Sequence, residues 1–108
     1  DAAAADKYME ELGRALVERI SEVAHAHGAD VVLLDIPTRE YTRSFPWHGD
    51  SDVGSLADVY VETVPVLSQY EGLTAFRRSH GQEHLTPFVH LMMGVELGRA
   101  VSDLLAPE

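Results

Sequence analysis

Residues 31–36 read VVLLDI, and Pro37 closes the run. Apolar and polar positions do not alternate here. The run therefore predicts a short strand covered on both faces, as in a parallel sheet. Asp35 is unusual inside such a run. A carboxylate there is either buried and paired, or close to the strand's C-terminal end, where α/β proteins gather their sites.

Upstream of this run, Ala2–His27 reads as one helix. Tyr8, Leu12, Leu16, Ile20 and Val23 form an apolar stripe, with Met9 and Val17 beside it. Glu10, Glu11, Arg14, Glu18 and Glu22 lie largely on other faces. Gly28 suits the position just past the helix end. His25 and His27 fall in the last turn, where the helix dipole favours a cation. They are two apart and point to different faces, so a solvated helix end is a better reading than a metal site.

Downstream, Thr38–Gly54 is a long irregular segment with Tyr41, Phe45, the only Trp (Trp47) and His48. Loops of this length in compact domains are usually functional or disordered, and the aromatics favour a flap over a pocket or partner. Ser55 then suits the start of a helix carrying Leu56, Val59, Tyr60, Val64, Leu67 and Tyr70. Pro65 should kink or split it, and Gly72 ends it. Leu73–Arg77, LTAFR, reads as a second strand.

The final stretch, SHGQEHLTPFVHLMMGVELGRAVSDLL over Ser79–Leu105, runs from a His-rich loop into a helix. Thr86 suits the N-cap and Pro87 the first helical position. Phe88, Leu91, Met92, Val95, Val101, Leu104 and Leu105 supply its apolar surface. Gly94 and Gly98 strip side chains from one stripe, so the helix can lie close on what it covers. His84 thus stands on a loop just ahead of a helix start, the best position for chemistry in the chain.

The element order is then α-β-α-β-α, an α/β chain with right-handed crossovers between parallel strands. Two strands cannot bury both faces of a sheet, since sheets usually have about four to six strands. The chain reads as part of a single α/β domain that a complementary segment, another chain or a homodimer mate completes. Its 108 residues suit one small domain. Eighteen acids against 8 bases give a net charge of −10, which disfavours nucleic acid and anionic membrane. There is no cysteine, hence no disulfide and no thiolate nucleophile. Asp1–Ala5 is not a basic-then-apolar leader, and no run is long enough to span a membrane. The cytoplasm is the favoured compartment, although the lack of cysteine does not decide it.

The layout resembles the C-terminal half of SGNH/GDSL-type hydrolases or SGNH-like acyltransferases, over nearly the whole chain. Its most specific part is Glu83–His90, EHLTPFVH, which is similar to that family's terminal block: a catalytic His, Leu and Pro residues, and the start of the last helix. The resemblance implies a three-layer, flavodoxin-like parallel-sheet domain and a serine ester hydrolase or acyl transferase. His84 would be the general base that takes the proton of a Ser hydroxyl. The nucleophile would come from a first strand far upstream, with oxyanion donors on its loop and on Gly and Asn residues of intermediate loops. The substrate would be a small-molecule or acyl ester, and no cofactor is implied.

This sequence departs from the family pattern. The family places an Asp three residues before the His, where this chain has Gly81. Glu83, Asp35 or Asp50 are the carboxylates available to orient His84. Gly49–Ser51 spells GDS, but the motif needs a strand ending at the Ser. A turn before a helix start is the simpler reading, and Ser51 as nucleophile the alternative. His80–His84 also spells H-x-x-E-H, a zinc signature that needs both His on one helical face. Here it lies in a loop, and no metal is expected. His90 falls inside the last helix and reads as structural. The competing reading is a non-catalytic interaction subunit that keeps the fold remnant without the site.

Overall fold

The computed structural model describes residues 1–36, 53–78 and 84–107. Among these residues it is a mixed α/β structure with three helices and a two-stranded parallel sheet. Helix α1 spans Ala2–Ala26, β1 Val32–Asp35, β2 Val59–Glu62, α2 Val64–Leu67 and α3 Pro87–Leu105. Single 3-10 turns cover Val53–Leu56 and Ser68–Tyr70. The chain divides into two compact units, Asp1–Leu33 with Pro46–Tyr60, and Leu34–Phe45 with Val61–Glu108.

In the first unit, Asp1 caps α1 by accepting from the Ala4 amide at 2.8 Å. The helix ends at His27, and Gly28 follows at φ +73°, the left-handed geometry that glycine adopts without a Cβ clash. The Gly28 and Ala29 amides close the end on the carbonyls of His25 and Ala24. The inward face of α1 differs from the one its pattern suggests. Buried Ser21 and half-buried Gly13, Val17 and Ala24 form that face, while Tyr8, Leu12, Leu16, Ile20 and Val23 stay exposed. Small residues let α1 lie close on the Val53–Leu56 turn, and the Ser21 hydroxyl donates to the Leu56 carbonyl. In the same unit, a Cβ at Gly54 would meet the Tyr60 ring at 2.7 Å, so only glycine fits beneath that ring.

The expected helix from Ser55 is not formed. Val53–Leu56 is a 3-10 turn and Val59–Glu62 is a strand. The Asp58 and Val59 amides donate to the Val31 carbonyl at 2.9 and 3.2 Å and start the pairing with β1. Leu56, Val59, Tyr60 and Val64 fit a helical spacing, yet Val59, Val61 and Thr63 also alternate with period two. Val61 and Thr63 are the buried positions. β-branched residues favour the extended choice once a partner strand is present. Pro65 does not kink a longer helix but sits in the first turn of α2, where its missing N–H is harmless. Gly72 has φ +80° and turns the chain after Ser68–Tyr70.

Leu73–Arg77 is not a strand either. Leu73 is exposed in a turn, and only Arg77 pairs, through an isolated antiparallel bridge to Leu85. Among the described residues no strand pairs with this stretch beyond that bridge, so its amides have no sheet to join there. Along the described residues the order is therefore α-β-β-α-α rather than α-β-α-β-α.

The second unit has its own core. Leu67, Phe76, Val89 and Met93 are buried, with Leu34, Tyr70, Leu85, Phe88 and Met92 packed on them. Phe88 stacks on Phe76 at 6.4 Å and takes the edge of Tyr70 at 5.2 Å. Such pairs add about 0.5–1.5 kcal/mol each beyond their burial. α3 faces this core through Val89 and Met93. Leu91, Val95, Val101 and Leu105, part of the apolar surface read from the sequence, are exposed, and so are Gly94 and Gly98. A Cβ built on either glycine meets nothing within 4 Å, so they mark open surface rather than close packing. The helix is apolar around most of its circumference, so spacing alone does not single out the inward side.

Candidate functional site

The parallel pair directs the C-terminal ends of both strands the same way. Asp35 ends β1 and is fully buried. Thr63, one residue past β2, is buried beside it, and its hydroxyl donates to the Asp35 carbonyl at 2.8 Å. This bond ties the two strand ends together and contributes about 1 kcal/mol. Asp35 is thus a buried group at a strand's C-terminal end, as its place in VVLLDI implies.

His84 is reached by a different route. After Phe76 the chain runs antiparallel to Leu85–Thr86. The Arg78 amide donates to the His84 carbonyl at 2.9 Å, and the Thr86 amide to the Phe76 carbonyl at 3.0 Å. Arg77 and Leu85 bridge between these bonds. Thr86 and Pro87 then start α3 at the positions expected. The Thr86 hydroxyl does not cap the helix but donates to the Ala75 carbonyl at 2.8 Å, adding a further tie. His84 is tied through its carbonyl to the Arg78 amide and followed directly by the Arg77–Leu85 bridge, and the residue is exposed. His90 donates from Nδ1 to the Thr86 carbonyl at 3.0 Å, a structural bond within the first turns of α3.

Ser51, Glu83, Asp50, Trp47, His48, His80 and Gly81 lie outside the described residues. Of the site residues read from the sequence, His84 and Asp35 are placed, one with an exposed ring and one with a carboxylate sealed from solvent. Among the described residues, no three of His, Asp and Glu gather as a metal-holding group. No helix among them is long and apolar enough to cross a membrane.

A charged contact that the sequence did not reveal lies in the first unit. His25 Nε2 donates to Asp58 Oδ2 at 2.8 Å, and the Val31 amide donates to the same oxygen at 2.7 Å. The carboxylate thereby joins the end of α1, the entry to β1 and the entry to β2. The hydrogen bond from His25, then that from Val31, hold the Asp58 carboxyl below its ordinary range. The sign follows from linkage. A carboxyl harder to protonate when folded contributes stability above its unfolded pKa, and the contribution is lost as pH falls through the folded value. Wild type should therefore outlast Asp58→Asn in urea near neutral pH, and the gap should close below about pH 4. A gap that stays constant with pH would show that the carboxylate's charge plays no part.

His27 turns back on its own helix, Nδ1 donating to the Val23 carbonyl at 2.8 Å. The two histidines of the last turn thus serve separate partners. Spacing showed that they diverge, but nothing in it pointed to Asp58, 33 residues along the chain from His25.

No protein-family model matches the chain. Comparison with curated proteins and with solved structures likewise finds no match.

Proposed function

We propose that this chain is the C-terminal portion of an SGNH-like serine ester hydrolase or acyl transferase, with His84 as its general base. The observation that carries the reading is the mounting of His84. Its backbone is tied to Arg78 and flanked by the Arg77–Leu85 bridge, directly ahead of α3, while its ring stays open to a substrate. A general base has to be positioned within hydrogen-bond reach of the proton it removes, and a fixed backbone with an accessible ring meets that need. In the proposed step, His84 takes the proton of a Ser hydroxyl as the oxygen attacks the ester carbonyl. It returns that proton to the departing alcohol, leaving an acyl-enzyme that water or an acceptor alcohol resolves by the same route. The nucleophile comes from a complementary segment or chain, with Ser51 as the candidate within this one. The architecture of the completed domain is three-layered around a parallel sheet, to which β1 and β2 contribute.

With Gly81 at the family's Asp position, Glu83, Asp35 and Asp50 are the candidates to orient His84. The complete burial of Asp35 suits a carboxylate that acts from beneath a site rather than on substrate. The interaction-subunit reading has in its favour the Gly81 that stands at the family's Asp position and the exposed apolar stripe of α1. A fluorophosphonate probe separates the two readings. Treatment of the assembled protein should label one serine covalently. An assembled and folded protein that takes no label would leave the interaction subunit as the function.

A further inference from the structure

The stripe on α1 carries the inference furthest. Tyr8, Met9, Leu16 and Ile20 are 63, 58, 55 and 59% exposed, with Leu12 and Val23 also open. These six side chains present on the order of 500 Å² of apolar surface, at the upper end of what a soluble monomer leaves in one patch. We propose that α1 pairs antiparallel with α1 of a second copy of this chain. This rests on the stripe itself and is independent of the hydrolase reading.

Three observations select that occupant. The first is spacing. Tyr8, Leu12, Leu16 and Ile20 are each four apart, so an antiparallel copy sets Leu12 against Leu16 and Tyr8 against Ile20, twice over by symmetry. Ala5 meets Val23 at the two ends, where a small residue accommodates a larger one.

The second is charge. α1 carries five acids and three bases, a small part of the chain's −10. Lys7 pairs with Glu11, and Arg19 with Glu22, within the helix. A copy therefore meets little repulsion along this face, and a strongly basic partner finds little to attract it. An acidic polar face also argues against a membrane surface, where interfacial helices carry Lys and Arg.

The third is area. A stable pair buries about 800 Å² per partner. The stripe supplies more than half of that, and the Ala5, Ala15 and Ala26 edge with the Arg19 stem extends it along a helix about 37 Å long.

Sedimentation equilibrium of the full chain, from micromolar to hundreds of micromolar, tests the proposal. A monomer–dimer equilibrium is expected. Leu12→Lys combined with Leu16→Lys should weaken it at least tenfold. Because both positions are exposed in one copy, the variant should keep the helical circular-dichroism spectrum. A second measurement uses uncharged changes. Leu12→Cys and Leu16→Cys chains, mixed and oxidised, should form the mixed disulfide faster than either forms its own. A wild type that stays monomeric across the range overturns the proposal. So does a dimer that the double Lys variant leaves unchanged, or self-linking of Leu16→Cys that matches the mixed pair.

Discussion

Replacing His84 by alanine should lower ester turnover of the assembled protein by about two orders of magnitude or more, with no loss of thermal stability. The separation of the two effects follows from how the residue is held. Its exposed ring fills no space in the core, and the backbone carbonyl ties this position to the Arg78 amide. Alanine keeps that carbonyl and the Arg77–Leu85 bridge, so the loop should persist while the base is gone. The measurement is kcat on a chromogenic short-chain ester, paired with a thermal melt. The rate of fluorophosphonate labelling should fall in parallel, because the probe needs the same activated serine. Turnover that survives in a correctly assembled His84→Ala protein would remove His84 from the mechanism and the hydrolase reading of this loop with it.

Leu67→Ala should have the largest effect on stability, a loss of about 2–5 kcal/mol. Leu67 is 1% exposed and sits where α2 meets α3, among Phe76, Val89 and Met93. Truncation leaves a void bounded by two aromatic residues and a helix. The stacked Phe76–Phe88 pair has little freedom to collapse into it. Small domains are stable by only about 5–15 kcal/mol in total, so a loss of this size moves a denaturant midpoint far. Leu91→Ala on the opposite side of α3 is the control, because Leu91 is 64% exposed and its truncation opens no cavity. Equal midpoint shifts for the two variants would mean that the inward face of α3 has been assigned to the wrong residues.

Local signals in the sequence determined a good part of this structure. The C-terminal end of α1 follows from Gly28, the strand from the apolar run of VVLLDI, and the start of α3 from Thr86 and Pro87. Each depends on residues adjacent in the chain, so no distant partner is needed to read it, although the Thr86 hydroxyl itself bonds to Ala75 rather than capping the helix. Of the candidate site, the two residues that the structure describes stood out in the sequence. Asp35 stands out as a carboxylate in an apolar run, and His84 stands just ahead of a helix start.

Tertiary structure alone decided the rest. Val59–Glu62 fits both a helical and an extended pattern, and the Val31 carbonyl receiving the Asp58 and Val59 amides settles it as strand. α1 has one apolar face, yet the face turned inward is the small one around Ser21, because close approach and a hydroxyl bond to Leu56 are available there. Neither the His25–Asp58 pair nor the tie from Arg78 to His84 has a signature in local spacing. Both arise only when separate segments are brought within hydrogen-bond distance. Periodicity reports how apolar residues are distributed around an element, whereas the side that ends up covered depends on which neighbour is present to cover it.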